Sequence, residues 1–376
     1  MADPETVGLD PERLDALVQR ARREVDAGLL PSCQLAVARH GQLGLLETMG
    51  DADDSTRYVI FSCTKAVIAG AAWMLIGEGK LDTSTRAADL VPEFATNGKD
   101  GITLEQLLTH TGGFPNAPLG PPEWSSKDAR LRRFASWRTE FEPGSRYFYH
   151  PTSAHWVVAH MVEEASGTDY RRFVADRVMG PLGLERFQLG VPEDEQGDIA
   201  ELVQTGEPAT PEELKAVLGI SELPPTEVTD EALIGFNDPS TRATGVPGGG
   251  GITGAAELAL YYQALLHNPV GSWDDGVLAD GTGNIRVTLP DMFGVTANRT
   301  LGLIVAGDDG QGALRGFGRT AGPRTFGHGG AAGQIAWADP DTGISFAYVT
   351  NGVDAHTLRQ ARRGVALSSL AAVCAA

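Results

Sequence analysis

Tyr58-Val59-Ile60-Phe61-Ser62-Cys63-Thr64-Lys65, followed by Ala66-Val67-Ile68-Ala69-Gly70-Ala71-Ala72-Trp73-Met74-Leu75-Ile76, is the stretch on which the fold turns. Residues 57–61 predict a short strand and residues 62–79 a helix. Ala66, Val67, Ile68, Ala71, Trp73, Met74, Leu75 and Ile76 leave that helix almost no polar face, so it belongs in the middle of a protein. The apolar run of residues 66–76 is too short to span a bilayer. At its head stands the only Ser-x-x-Lys of the chain. Residues three apart share a helix face, so the Lys65 amine can reach the Ser62 hydroxyl. A helix N-terminus adds a positive dipole end and free N–H groups. A lysine with little solvent and other cations nearby loses its proton easily and can act as a base. By itself such a tetrapeptide is more often a capping serine and a solvated lysine. The apolar helix behind it gives Lys65 little solvent to reach.

Outward from this helix, Asp10 caps and Pro11 opens an amphipathic helix over residues 9–29, with Leu14, Leu17, Val18, Ala21 and Val25 on one stripe. Residues 34–39 and 43–47 predict two strands joined by a turn at His40-Gly41-Gln42. Between residues 85 and 290, helices are predicted over 104–108, 155–165, 170–179 and 255–266. The stretch 191–251, rich in Glu, Pro, Thr and Gly, predicts surface excursions. Strands return at 301–306, 334–338 and 344–350, with a turn at Pro340-Asp341-Thr342-Gly343, and a last helix covers 355–372. The pattern implies one α/β domain built from both ends of the chain, residues 1–84 and 291–376. A mostly helical domain, 85–290, is inserted, with the active site at the interface.

The 376 residues amount to about 2.5 domains' worth. Apolar residues make up 42% and charged ones 21%, enough for a sizeable core. A net charge of −19 lacks the basic footprint that nucleic acid or an anionic membrane surface requires, so neither is expected as a partner. Cys33, Cys63 and Cys374 form neither a disulfide scaffold nor a zinc site. The start, Met1-Ala2-Asp3-Pro4-Glu5, has no basic or apolar leader, which sets the expectation of a cytoplasmic protein. There is no Gly-x-Ser-x-Gly, His-Glu-x-x-His or Walker A sequence. Gly249, Gly251 and Gly254 fit a dinucleotide fingerprint but follow a Pro/Gly loop, so a flexible turn before a helix is the better reading. His150, His155 and His160 are five apart and read as packing or surface residues, not metal ligands. No cofactor and no metal are expected.

Four segments in order resemble the serine β-lactamase and penicillin-binding-protein superfamily, nearest to its branch of class C β-lactamases and β-lactamase-like esterases. Residues 58–65 look like its nucleophile segment. Ile102-Thr103-Leu104-Glu105-Gln106-Leu107-Leu108-Thr109-His110-Thr111-Gly112-Gly113 resembles its "LLTHTSG" segment. Phe141-Glu142-Pro143-Gly144-Ser145-Arg146-Tyr147-Phe148-Tyr149 resembles its F-x-P-G-x-x-x-x-Y segment. Phe326-Gly327-His328-Gly329-Gly330 resembles its third motif, His-x-Gly in many members and Lys-Thr-Gly in β-lactamases. The match runs from residue 10 or so to 372.

The resemblance implies a β-lactamase-like fold: a central antiparallel sheet flanked by terminal helices, with an inserted helical domain. It implies that Ser62 attacks an acyl carbonyl and forms an acyl-enzyme. Lys65 and Tyr149 are then the proton-handling pair, with Tyr149 a phenolate-like base held down by Lys65, and which one takes the serine proton is open. The Pro143-Gly144 register selects Tyr149 over Tyr147. The backbone N–H groups of Ser62 and Ala331 are the implied oxyanion hole. His328, Gly329 and Gly330 are the implied substrate-binding residues, with glycines because substrate lies close to that backbone. Cys63 is expected to be a small packing residue. Two departures matter. Tyr149-His150-Pro151 lacks the amide of the Tyr-x-Asn motif, and His328 stands where β-lactamases carry lysine. Both weaken the case for β-lactam or D-Ala-D-Ala substrates. The expected function is a carboxylesterase acting on small or medium acyl esters. An acyltransferase with the same acyl-enzyme, a β-lactamase or D-peptidase, and a catalytically idle ligand-binding protein are the alternatives. Pocket walls are expected from residues 114–140 and 190–250. Oligomeric state stays open.

Overall fold

The computed structural model describes residues 1–223 and 228–376. Asp10 caps helix α1 (Pro11–Asp26) through its carboxylate, which accepts from the Glu12 and Arg13 N–H groups. Strands β1 (Ser32–Arg39) and β2 (Gln42–Gly50) follow. His40 and Gly41 turn between them, both at positive φ, as a two-residue hairpin that suits right-twisted strands demands.

The two ends of the chain share one sheet. β1 pairs antiparallel with Ile344–Thr350, Ala36 opposite Ala347. Its full order is Gln42–Gly50, Ser32–Arg39, Ile344–Thr350, Ile335–Ala338, Phe326–Gly327 and Ile304–Val305, antiparallel at every step. Side-chain alternation decides what covers each face. Leu35, Val37, Ile335, Trp337, Phe346 and Tyr348 point into a core shared with α1 and the last helix (Thr357–Ala371), which pack on each other. The intervening Ala36, Ala38, Ala336, Ala338 and Ala347 face the opposite way. Their small side chains let helix Ala255–His267 lie close against the sheet. There Gln263 Nε2 donates to the carbonyls of Ala38 and Gly343 and to Ser345 Oγ. This helix lies within the segment 85–290 yet covers the sheet.

The apolar stretch does form a buried helix, α2 (Thr64–Gly77), with Thr64 to Leu75 buried without a break. It packs on helix Ser153–Ser166. The strand before it is shorter than expected, Tyr58–Val59, because Phe61 turns to φ +44 and starts a 3-10 turn, Phe61–Cys63. The strand expected over 301–306 is likewise only Ile304–Val305, cut by Gly302 at φ +104. The stretch 191–251 is not all surface: residues 244–253 are buried without a break. Gly251–Thr253 is a strand pairing with Tyr58–Val59, so the glycines there serve close backbone approach, not flexibility. Among the described residues no helix is long and apolar enough to cross a membrane.

Candidate active site

The turn that carries Ser62 is fixed from three sides. Ile60 N–H donates to Gly251 O at 2.9 Å. Thr64 Oγ1 donates to Phe61 O at 2.5 Å and accepts from Gly251 N–H at 2.8 Å. The Cys63 thiol donates to His328 O at 3.1 Å. Cys63 is fully buried, and burial pushes its thiol above the ordinary range, so it packs and stays protonated. Phe61, in a left-handed conformation that bulky residues avoid, is braced edge-on by Phe236 at 5.5 Å between ring centroids.

Lys65 is completely buried. Its Nζ lies 3.1 Å from Ser62 Oγ, 2.7 Å from Pro151 O and 2.6 Å from Gly248 O. Desolvation, aided by the nearby Arg299, drives this amine well below the ordinary lysine range. The backbone carbonyl of Pro151 thus takes the lysine that the missing amide would have held. Gly248 is part of the site for a similar reason. A Cβ there would sit 3.0 Å from Pro151 O and 3.5 Å from Lys65 Nζ.

Two motif segments are zipped together to present Tyr149. Gly144 N–H donates to Thr111 O, Phe148 N–H to His110 O, and His150 N–H to His110 Nδ1. The His110 ring lies 4.6 Å from that of Tyr149. Tyr149, half-buried, is the tyrosine whose hydroxyl is hydrogen-bonded to Ser62. Lys65 Nζ stands 5.1 Å from its ring centroid. A phenolate held down by Lys65 is not what the surroundings favour. Burial pushes the Tyr149 phenol up to about 12, and the cation that opposes this is Arg299. Tyr149 is therefore a neutral phenol at neutral pH. The histidines His150, His155 and His160 are all buried packing residues, and His150 and His160 are pushed down to about 4 and about 3 by desolvation.

Arg299 is the residue that sequence reasoning missed. It lies in Val295-Thr296-Ala297-Asn298-Arg299-Thr300-Leu301, a segment without an acidic residue, and that lack of a local counter-charge is the one signal it offered. Its guanidinium donates to Tyr147 Oη at 3.2 and 2.8 Å and lies 3.1 Å from His328 Nε2. Tyr147 is thus turned to Arg299 while Tyr149 is turned to Ser62. With Nε2 accepting, the His328 proton is on Nδ1 and is donated to Gly329 O at 2.7 Å. Burial first, then Arg299 and Lys65, hold His328 well below the ordinary imidazole range, hence neutral.

A cavity of about 480 Å³ opens on Ser62. Ala331, Gly248 and Phe61 line it beside the serine, and its walls come from residues 118–124 and 228–249, as expected. Pro118, Leu119, Trp124, Leu233 and Phe236 make them apolar, and among the described residues lining it Glu231 is the only charged one. Neither Ser62 N–H nor Ala331 N–H donates to any acceptor among the described residues. His328, Gly329 and Gly330 do not line this cavity. They line another, of about 320 Å³, against the last helix, on the far side of their own strand segment. A larger cavity, about 700 Å³, involves none of these residues. No cluster of three or more metal-ligating side chains exists among the described residues.

The turn that carries Ser62, the buried Lys65 and Tyr149 lie between a six-stranded antiparallel sheet and a helical layer, the arrangement of the β-lactamase-like fold. The β-lactamase family model matches residues 16–371. The chain belongs to that family and, with it, to the serine β-lactamase and penicillin-binding-protein superfamily. A penicillin-binding-protein homologue from Caulobacter crescentus superposes with a TM-score of 0.78 at 25% identity, over 97% of this chain and 99% of that one. A family VIII carboxylesterase superposes with a TM-score of 0.77 at 23% identity, over 96% and 98%, a likeness of fold. A putative D-alanyl-D-alanine carboxypeptidase from Escherichia coli is 28% identical over 49% of this chain and 48% of its own length. The chain spans about half the length of the curated relatives it matches.

Proposed function

We propose that the chain is a serine hydrolase working through an acyl-enzyme, and that its substrates are uncharged carboxylic esters with small to medium apolar acyl groups. The observation that carries this is the cavity at Ser62: apolar, about 480 Å³, and without a cation among the described residues that line it. A β-lactam or a peptide ending in D-Ala brings a carboxylate, which this lining would leave unpaired and which Glu231 would repel. The putative carboxypeptidase relatives therefore do not set the substrate here.

The steps follow from the atoms present. As a free amine, Lys65 has two N–H groups for Pro151 O and Gly248 O, and its lone pair faces Ser62 Oγ. It takes the Oγ proton as Oγ bonds to the ester carbonyl carbon. The carbonyl oxygen gains the electron pair between the amides of Ser62 and Ala331, each worth about 3 kcal/mol to the transition state. Collapse breaks the bond to the alkoxide, which takes a proton from the Tyr149 hydroxyl as Tyr149 is reprotonated from Lys65. Water then attacks the acyl-enzyme with Lys65 again the base, and Ser62 leaves with its proton.

The test is a comparison of kcat/KM for p-nitrophenyl butyrate with that for a chromogenic cephalosporin carrying no ester side chain, in the wild type and in Ser62→Ala. The ester should be turned over far better, and Ser62→Ala should abolish it. Comparable efficiency on both substrates would refute the ester assignment. Added alcohol that diverts most product into a new ester would make the chain an acyltransferase instead.

A further inference from the structure

Arg299 belongs to none of the motifs, yet the site is arranged around it. It is 4% exposed, and no ion pair to a carboxylate is found for it among the described residues. Its hydrogen-bond partners in the site, Tyr147 Oη and His328 Nε2, are neutral. Its guanidinium carbon lies 5.5 Å and 5.4 Å from the ring centroids of Tyr147 and Tyr149. A buried cation with no counter-charge is costly, and such groups persist where the charge has a use.

The titratable groups facing Lys65 come from several elements. Cys63 belongs to its own turn, His155 to helix Ser153–Ser166, His110 and Tyr149 to the two zipped loops, and His328 to the segment after Phe326–Gly327. Burial holds all three histidines far below the ordinary imidazole range and raises the thiol and the phenol, so each is uncharged at neutral pH. Arg299 alone among them carries charge.

We propose that Arg299 is a positioning residue of the reaction: its unpaired guanidinium holds Lys65 as a free amine able to take the Ser62 proton, and fixes His328 with its proton on Nδ1. Lys65 Nζ and the Arg299 guanidinium carbon stand 5.1 Å and 5.4 Å from the same Tyr149 ring centroid, so an ammonium at Lys65 would be a second buried positive charge across that ring, and the amine avoids it. This inference rests on the Ser62–Lys65 reading above.

The experiment is the pH dependence of labelling by a neutral fluorophosphonate, followed by intact mass with the adduct mapped to Ser62. In the wild type the acid limb lies well below the ordinary lysine value of about 10.4. In Arg299→Met and Arg299→Gln it moves up by about one unit or more, slowing labelling below the limb about tenfold per unit. The rate recovers at alkaline pH, which a merely structural loss would not give. Arg299→Lys retains the wild-type limb. An unmoved limb in the neutral variants overturns the role of Arg299 and leaves Ser62 the nucleophile. A wild-type limb above about pH 9 overturns the free-amine state, whether or not any variant folds. No adduct on Ser62 in the wild type overturns the nucleophile reading, and this inference with it.

Discussion

Gly329 and Gly330 are adjacent in the glycine-rich segment, and a methyl group should affect them very differently. A Cβ on Gly330 would lie 2.4 Å from Ile60 O and 2.9 Å from Gln334 Cβ. On Gly329 it would meet only Gln334 O, at 3.5 Å, an ordinary contact. Ordinary contact begins at 3.4 Å, so Gly330→Ala must part its segment from Ile60 by about 1 Å, the difference between 3.4 and 2.4. Ile60 is two residues from Ser62, and Gly330 is next to Ala331, so the separation widens the gap between the two free amides. Oxyanion donors act at about 2.7–3.1 Å, and losing one costs about 10²–10³ in kcat. The overpacking itself should cost about 1–3 kcal/mol of stability. The assay is kcat and KM for p-nitrophenyl butyrate beside a thermal melt. Gly330→Ala is expected to lose about two orders of magnitude in kcat and a few degrees of Tm, while Gly329→Ala stays within about threefold of wild type. Equal losses in both variants, or wild-type kcat in Gly330→Ala, would refute the argument that the Ile60 carbonyl sets the spacing of the oxyanion amides.

Tyr149→Phe keeps the ring but removes the proton-carrying oxygen next to Ser62, so kcat/KM should fall by about two orders of magnitude with Tm nearly unchanged. Tyr147→Phe should do the reverse, because it strips Arg299 of the acceptor of two N–H groups: a loss of about 1–3 kcal/mol of stability. If Tyr147→Phe is the catalytically silent and thermally neutral one, Arg299 is not anchored as described. The buried histidines make the fold sensitive to acid. Their folded pKa values are depressed, to about 4 for His150, against about 6.5 in an unfolded chain. Below about 6.5 the unfolded state therefore binds more protons than the folded one, and stability falls with pH, His150 alone accounting for roughly 3 kcal/mol once the pH is under its folded value. A Tm that stays flat between about pH 7 and pH 5 would contradict this.

What could be read from the sequence was carried by side chains in periodic or motif-like contexts. The apolar helix behind Ser62 and the strands at both chain ends follow from such patterns and stand in place in the fold, and Tyr149, the tyrosine singled out by the motif register, is the one whose hydroxyl reaches Ser62. What escaped was carried by the backbone or by burial. The carbonyls of Pro151 and Gly248 hold Lys65, but a carbonyl leaves no mark on the residue type. Glycines 248 to 251 look like a loop because composition does not distinguish a flexible glycine from one pressed against another backbone. Arg299 and the depressed histidines owe their character to desolvation by segments distant in sequence.

The proline at position 151 ties these strands together. In members with Tyr-x-Asn, one amide side chain both holds the lysine and meets the substrate's amide. Here the two tasks are separated. Pro151 O keeps the first, at 2.7 Å from Lys65 Nζ. Pro151 brings no side-chain amide to the second, since its ring carries neither a donor nor an acceptor, and the hydroxyl side chains lining the cavity besides Ser62 are those of Thr152 and Thr241. A substrate amide that relies on such a side-chain amide would lose that partner here, a penalty of about 1–3 kcal/mol where nothing else pairs it. A simple alkyl ester carries no such additional amide and loses nothing there. On the ester reading proposed above, Pro151 would keep the hold on Lys65 while disfavouring amide substrates, in keeping with the apolar walls and with Glu231 as the one charged residue among the described residues lining the cavity.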